Sequence, residues 1–124
     1  MTDSSVARIL KDLHNWYPST ADVAVRAGFR CEYCGRDFLA SVDDYESFQI
    51  DHVVPKSKCP RDSVNELDNL ALACKPCNFF KRAVMPEGSS REDKVRWAAR
   101  YIQGRRLERL KEVVAIRELA YGPS

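Results

Sequence analysis

The chain has 124 residues, the size of one domain with a single modest hydrophobic core. Its hydrophobic fraction of 44% suits a globular protein, and its apolar stretches are far too short to span a bilayer. The N-terminus lacks the basic start and apolar run of a signal peptide. We therefore expect a cytoplasmic protein, in which the five cysteines do not form disulfides and metal ligation is the favoured use of cysteine, with Cys59 left over as a free thiol in a loop.

Charge is distributed unevenly along the chain, although the net charge is only +2. Residues 31–90 carry a net charge of −3, and residues 91–124 carry a net charge of +4. An acidic centre suits the binding of a cation, and a basic C-terminal segment suits a polyanion. An ordinary solvated surface explains the same distribution equally well, so charge alone does not decide the function.

Residues 1–28 predict two helices. Apolar residues recur at helical spacing within residues 3–14, namely Val6, Ile9, Leu10 and Leu13. Pro18 ends this segment. A second short helix is expected from Ser19 or Thr20 to Ala27, where Gly28 supplies a stop signal.

A charged pair interrupts an otherwise apolar stretch, FQIDHVVPKS, at residues 48–57. Its apolar, β-favouring side chains predict a strand from Phe48 to Val54. The charged pair Asp51-His52 lies in the middle of that strand, and Pro55 ends it. A strand tolerates such a pair poorly unless the pair faces water or a ligand.

The segment that follows Gly88 predicts a long helical region in residues 89–121. Ser89 with Glu92, or Ser90 with Asp93, resembles a capping box. An apolar stripe then continues to about Ala120 through Val95, Ala99, Ile102, Leu107, Leu110, Val113 and Val114. Gly104 weakens the middle of the stripe and could divide it into two helices. Trp97 and Tyr101, four residues apart, predict a packed pair on this region.

Four cysteines form two CxxC pairs, Cys31 with Cys34 and Cys74 with Cys77, separated by 39 residues. Each pair offers two thiolates from a tight turn, and two pairs complete a tetrahedral set for zinc. Gly35 fits the turn geometry of the first pair. Because protein fills all four positions, the expected zinc is structural. A redox role is disfavoured because no thioredoxin-like βαβ pattern surrounds either pair.

Several spaced elements occur together with these cysteines: CEYC, FQIDHVVPKS, and LDNLALACKPCN followed by FFK. In this order they resemble the HNH endonuclease family, in its four-cysteine, zinc-bearing branch. The resemblance covers about residues 29–83. It implies an α+β fold with a small ββα-metal core, in which two antiparallel strands and a helix hold one catalytic cation. The second strand is expected at Asn69–Ala73, and Pro76 suits the first turn of the helix.

The resemblance also implies roles for four residues. His52 resembles the general base, and an imidazole that titrates near 6.5 suits that task. Asp51 and Asn78 resemble the ligands of the catalytic cation, so the signature is the H-N-N variant. Their oxygens are hard ligands, which favour magnesium or manganese over zinc. Asn69 resembles the middle residue, whose side chain braces the inter-strand loop and so holds His52.

The implied reaction is hydrolysis of phosphodiester bonds, with double-stranded DNA as the expected substrate. Candidate phosphate contacts near the motif are Lys56, Lys58, Lys75, Lys81 and Arg82. The basic C-terminal helices could follow a phosphate backbone or form a solvated face paired with Glu108 and Glu112. Two alternatives remain open. One is a zinc-knuckle module that binds nucleic acid without catalysis, and the other is a phage or toxin accessory nuclease that needs a partner, docked through the C-terminal helices.

Overall fold

The computed structural model describes residues 3–122 and contains five helices and one two-stranded sheet within that range. The helices are α1 (Asp3–His14), α2 (Pro18–Arg26), α3 (Val42–Tyr45), α4 (Lys75–Lys81) and α5 (Arg91–Tyr121). The strands are β1 (Phe48–His52) and β2 (Leu70–Cys74), and short 3₁₀ turns cover Lys56–Lys58 and Leu67–Asn69. This arrangement confirms the predicted α+β class.

The two strands run antiparallel, with Phe48 opposite Cys74 and His52 opposite Leu70. β1 ends two residues earlier than predicted, and β2 begins and ends one residue later. The early end follows from the approach to Pro55, which has no backbone N–H for a ladder hydrogen bond. All five residues of β2 are buried, so this strand lies in the middle of the core.

The core forms where the sheet meets helices from both ends of the chain. Val23 and Ala24 of α2, Phe38, Val53, and Ala98 of α5 are all buried against the sheet residues. Helix α1 ends before Pro18, as expected, and Pro18 itself occupies the first turn of α2. Its fixed φ and missing N–H suit that position.

Helix α5 is a single helix of 31 residues, so Gly104 does not divide the region. A glycine costs a helix only about 1 kcal/mol relative to alanine, and strong helix formers surround Gly104. The Ser90 hydroxyl accepts a hydrogen bond from the backbone N–H of Asp93 at 3.0 Å, which confirms that capping alternative. Trp97 and Tyr101 stack with ring centroids 5.5 Å apart, as predicted.

The C-terminal half of α5 leaves the domain. Ala98 and Ile102 are its buried residues, and every described side chain from Leu107 to Tyr121 is exposed. The predicted apolar stripe therefore reaches the core only in its first part. None of the helices within residues 3–122 combines the length and apolarity that crossing a membrane requires.

Candidate metal centre and active site

The four predicted metal ligands converge. The Sγ atoms of Cys31, Cys34, Cys74 and Cys77 all lie within 4.8 Å of one another. Those of Cys34 and Cys74 are 3.7 Å apart, close to the roughly 3.8 Å edge of a tetrahedron with Zn–S bonds of about 2.3 Å. All five cysteines are free thiols. The donor set and its size therefore fit a structural zinc ion.

Backbone amides support these sulfur atoms. The N–H groups of Cys34 and Cys74 donate to Cys31 Sγ, and that of Cys77 donates to Cys74 Sγ, each at 3.4 Å. Hydrogen bonds from the Cys74 and Cys77 thiols lower the pKa of Cys31, whereas the bond with Cys31 raises the pKa of Cys77. Zinc binding would release the thiol protons, because the thiolate is the ligand.

Arg106 of α5 adds a partner that the sequence did not indicate. Its guanidinium donates to Cys77 Sγ at 3.3 Å. Burial is the largest single influence on the pKa of Arg106 and lowers it, but the hydrogen bond to Cys77 and the charges of Cys77, Cys34 and Cys74 together outweigh burial, so the pKa is raised. Four thiolates and one Zn²⁺ carry a net charge of −2, which this cation partly offsets.

Glu32, inside the first CxxC pair, attaches that turn to the sheet. Its backbone N–H donates to the Leu72 carbonyl at 2.8 Å, and its Oε2 accepts from the Leu72 N–H at 2.7 Å. Its carboxylate also forms ion pairs with Arg26 of α2 and Arg91 of α5. The first pair is therefore fixed against β2 and both flanking helices.

Asp51 lies buried at the contact of β1 with α4, where two side chains reach the same carboxylate oxygen. The Tyr33 hydroxyl donates to Asp51 Oδ2 at 2.5 Å, and Lys81 Nζ lies 3.2 Å from that atom. Burial raises the pKa of Asp51, and the Lys81 ammonium opposes that shift. Burial and the nearby Asp51 carboxylate raise the pKa of Tyr33, so its hydroxyl keeps the proton that it donates.

The prediction that Lys81 contacts a phosphate is wrong. Its side chain is 0% exposed, and its ammonium donates to the His52 carbonyl at 2.9 Å as well as pairing with Asp51. Its long aliphatic chain passes through the core, which leaves the charge no access to a surface ligand. The other proposed phosphate contacts, Lys56, Lys58, Lys75 and Arg82, are exposed.

Asn78 reaches the same β1–α4 contact as Asp51. Its Nδ2 donates to Gln49 Oε1 at 2.8 Å, and Gln49 lies two residues before Asp51, on the same face of β1. Oδ1 of Asn78 and Oδ1 of Asp51 take part in none of the hydrogen bonds found among the described residues. Two hard oxygens at one contact are donors suited to a magnesium or manganese ion.

His52, at the end of β1, is partly exposed, and its imidazole points to the inter-strand loop. Its Nε2 lies 3.0 Å from Asn65 Oδ1. An amide oxygen only accepts, so Nε2 carries the proton and Nδ1 is the nitrogen left to accept one. Within the described chain, Asn65 is the only side chain hydrogen-bonded to the ring; Asp51 and Asn78 are not.

Asn69 spans the loop between the strands. Its Oδ1 accepts from the Val54 N–H at 2.8 Å, and its Nδ2 donates to the carbonyls of Val54 and Val64 at 3.1 and 3.0 Å. These three bonds join both ends of the loop immediately after His52. The side chain thus acts on the loop backbone.

Residues 31–82 match the model of the HNH endonuclease family. This segment is therefore similar to HNH domains. The resemblance expected over residues 29–83 is thereby confirmed, and the four-cysteine cluster agrees with the zinc-bearing branch. No curated protein and no solved structure gives a significant match to the chain. The matched segment is less than half of the chain, and α1, α2 and α5 lie outside it.

Proposed function

We propose that the protein is a metal-dependent endonuclease that hydrolyses phosphodiester bonds in DNA, with His52 as general base and one magnesium or manganese ion held by Asp51 and Asn78. One observation supports this proposal most directly. At the β1–α4 contact of the segment that matches the HNH family, Oδ1 of Asp51 and Oδ1 of Asn78 take part in none of the hydrogen bonds found among the described residues. Asp51 resembles the family's carboxylate ligand, and Asn78 occupies the last position of the signature in the H-N-N variant.

The bound ion would supply Lewis-acid stabilisation of the negative charge that develops on the phosphate and leaving oxygens. The side chains of the chain supply the rest. His52 Nδ1 accepts the proton of the attacking water, while Asn65 holds Nε2 and so fixes the tautomer. Lys81 holds the His52 carbonyl, and Asn69 holds the backbone of Val54, two residues after His52.

Exposed cations supply the proposed affinity for the substrate backbone. Lys56, Lys75 and Arg82 surround the signature on the exposed surface. We propose that residues 29–83 form the catalytic unit, and that the helical segments 1–28 and 89–121 support it. The exposed basic residues Arg100, Arg109 and Lys111 of α5 would add binding that is tolerant of sequence and weakened by salt.

A plasmid-nicking assay tests the proposal. The zinc-loaded protein should cleave in the presence of Mg²⁺ or Mn²⁺, and His52→Ala should lower the rate by about 100-fold or more. His14→Ala is the matched control, because His14 is the other histidine and lies exposed on α1. RNA and single-stranded DNA in parallel reactions define the substrate class. Full activity of His52→Ala would refute its role as the base. DNA binding without cleavage would support the non-catalytic zinc-knuckle module.

A second candidate, a nuclease that works as a pair of copies, is favoured by the exposed end of α5. Leu107, Leu110, Val114 and Tyr121 lie on one helical stripe and are 40–86% exposed. In an antiparallel pair centred on Val114, Leu107 of each copy lies level with Tyr121 of the other, so the apolar stripes of the two helices face each other along their length.

Light scattering tests this pairing over a range of protein concentrations. We expect a dimer in the wild type and a monomer in Leu110→Asp. Leu119→Asp is the control, because Leu119 is 87% exposed on a different side of the helix. A wild-type monomer at all concentrations would exclude the pair.

A further inference from the structure

We propose that Tyr33 is a positioning residue for the catalytic cation, acting through Asp51. This inference rests on the proposed function. The Tyr33 hydroxyl donates to Oδ2 of Asp51 and Lys81 Nζ lies 3.2 Å from the same oxygen, whereas Oδ1 takes part in none of the hydrogen bonds found among the described residues. Holding one oxygen fixes the rotation of the carboxyl group, and so directs the other oxygen to a single position. Asp51 thereby becomes a ligand that offers Oδ1 alone.

The burial of this group makes the contact a fixed part of the fold. Tyr33 is 8% exposed, Asp51 is 6% exposed and Lys81 is fully buried. Water therefore cannot readily replace the Tyr33 hydroxyl as the donor. A buried carboxylate that lost this donor would keep only the Lys81 contact, and its carboxyl group would gain rotational freedom.

Both partners of Asp51 are delivered by the zinc-binding segments. Tyr33 lies between Cys31 and Cys34, and Glu32 beside it attaches this turn to β2. Lys81 ends the helix that begins directly after Cys74 and contains Cys77. The four-cysteine site therefore determines the position of both groups that hold Asp51. The connection runs from zinc, through one tyrosine hydroxyl, to the proposed cation ligand.

Removing such a supporting hydrogen bond typically costs 10- to 100-fold in metal affinity or activity. Tyr33→Phe deletes the hydroxyl and keeps the ring, so we expect the zinc site and fold to persist. The dissociation constant for Mn²⁺ should rise by about 10-fold or more. Nicking should fall at low Mn²⁺ and recover in part at high Mn²⁺, because weaker binding of the ion is overcome by its concentration.

The experiment uses the zinc-loaded full chain without DNA, and follows free Mn²⁺ by electron paramagnetic resonance during a titration. Zinc content and circular dichroism are measured on the same samples. Tyr45→Phe is the matched control, since Tyr45 packs against the rings of Trp16 and Phe48, and its hydroxyl forms none of the hydrogen bonds to Asp51 found among the described residues. Asp51→Ala defines the loss of the site itself.

The outcomes separate this inference from the proposed function. If wild type binds Mn²⁺ and nicks DNA while Tyr33→Phe does both equally well, the inference is overturned and the proposed function stands. If Tyr33→Phe loses zinc or helical signal, Tyr33 has a folding role only, and the inference is again overturned. If wild type neither binds Mn²⁺ nor cleaves, the proposed function itself fails.

Discussion

Replacing Lys81 with methionine isolates the electrostatic part of the contact between α4 and β1. Methionine keeps an unbranched chain of similar length and fills irregular space well. The substitution removes the ammonium that lies 3.2 Å from Asp51 Oδ2 and that donates to the His52 carbonyl. Asp51 is left with the Tyr33 hydroxyl as its one remaining hydrogen-bond donor among the described residues.

The expected cost follows from the burial of the pair. Removing one partner of a buried ion pair costs about 3–5 kcal/mol, because the other charge stays buried without compensation. The side chains of Lys81 and Asp51 are 0% and 7% exposed, so solvent screening reduces this energetic cost only slightly. Asp51 relieves part of the cost by taking up a proton, since burial already raises its pKa. We therefore expect the lower end of the range, about 3 kcal/mol at pH 8.

The pH dependence of this cost has a defined sign. Without Lys81 the folded state favours neutral Asp51, so its folded pKa lies above the unfolded value of about 3.9. A carboxyl group whose pKa is higher in the folded state than in the unfolded state contributes its full stabilisation at pH values below the unfolded pKa. That stabilisation is lost as the pH rises through the folded pKa. The deficit of Lys81→Met relative to wild type should therefore be smaller at pH 6 than at pH 8.

Urea unfolding, followed by helical circular dichroism at a fixed zinc concentration without Mg²⁺ or Mn²⁺, measures the free energy of unfolding. The series comprises wild type, Lys81→Met, Asp51→Asn and the double variant. If the pair is the cause, the double variant should be more stable than the sum of the single effects predicts. A loss below about 1 kcal/mol in Lys81→Met, or strictly additive single effects, would refute this reasoning.

Three further substitutions test other parts of the structure. Gly104→Ala should raise the free energy of unfolding by about 1 kcal/mol in urea, since a Cβ at this helical position meets no atom within 4 Å; an unchanged or lower value would contradict this. Asn69→Ala should lower the free energy of unfolding by about 2–3 kcal/mol and speed hydrogen exchange at the Val54 amide, because it removes three hydrogen bonds from the Asn69 side chain to the loop backbone. Unchanged exchange at that amide would show that other contacts hold the loop. Cys74→Ser should reduce both bound zinc and folded protein, measured by metal analysis and circular dichroism; a well-folded variant with full zinc would contradict the structural assignment.

The parts of this fold that the sequence predicted are those with a short-range pattern. The CxxC spacing identifies the ligand pairs because a tight turn can offer two thiolates to one ion. The apolar spacing of residues 3–14 matches α1 in full. The strands were found to within two residues because their apolar runs end at turn-forming residues such as Pro55. Family resemblance then brought Asp51, His52 and Asn78 together as a candidate site.

The structural features that the sequence did not predict depend on contacts between residues distant in the chain. Lysine is almost never fully buried unless paired, so a surface position was the reasonable expectation for Lys81. Its burial depends on Asp51, 30 residues earlier in the chain. Tyr33 and Arg106 likewise meet their partners only through tertiary packing, and no local pattern marks them. Gly104 was misleading for the opposite reason, because the helix formers around it outweigh one unfavourable residue.

The two metal sites differ enough in chemistry to be separated by experiment. Four thiolates form a closed, soft site for zinc, whose binding contributes on the order of 10 kcal/mol to folding. In the proposed function, one carboxylate oxygen and one amide oxygen would form a hard site that leaves most coordination positions to water and phosphate. A weak chelator should therefore remove that proposed ion while zinc and the fold remain. Because Tyr33 and Lys81 are both fixed by the zinc-binding segments, activity lost in this way should return on adding Mn²⁺ alone. Activity lost by removing zinc should return only after the protein refolds with zinc.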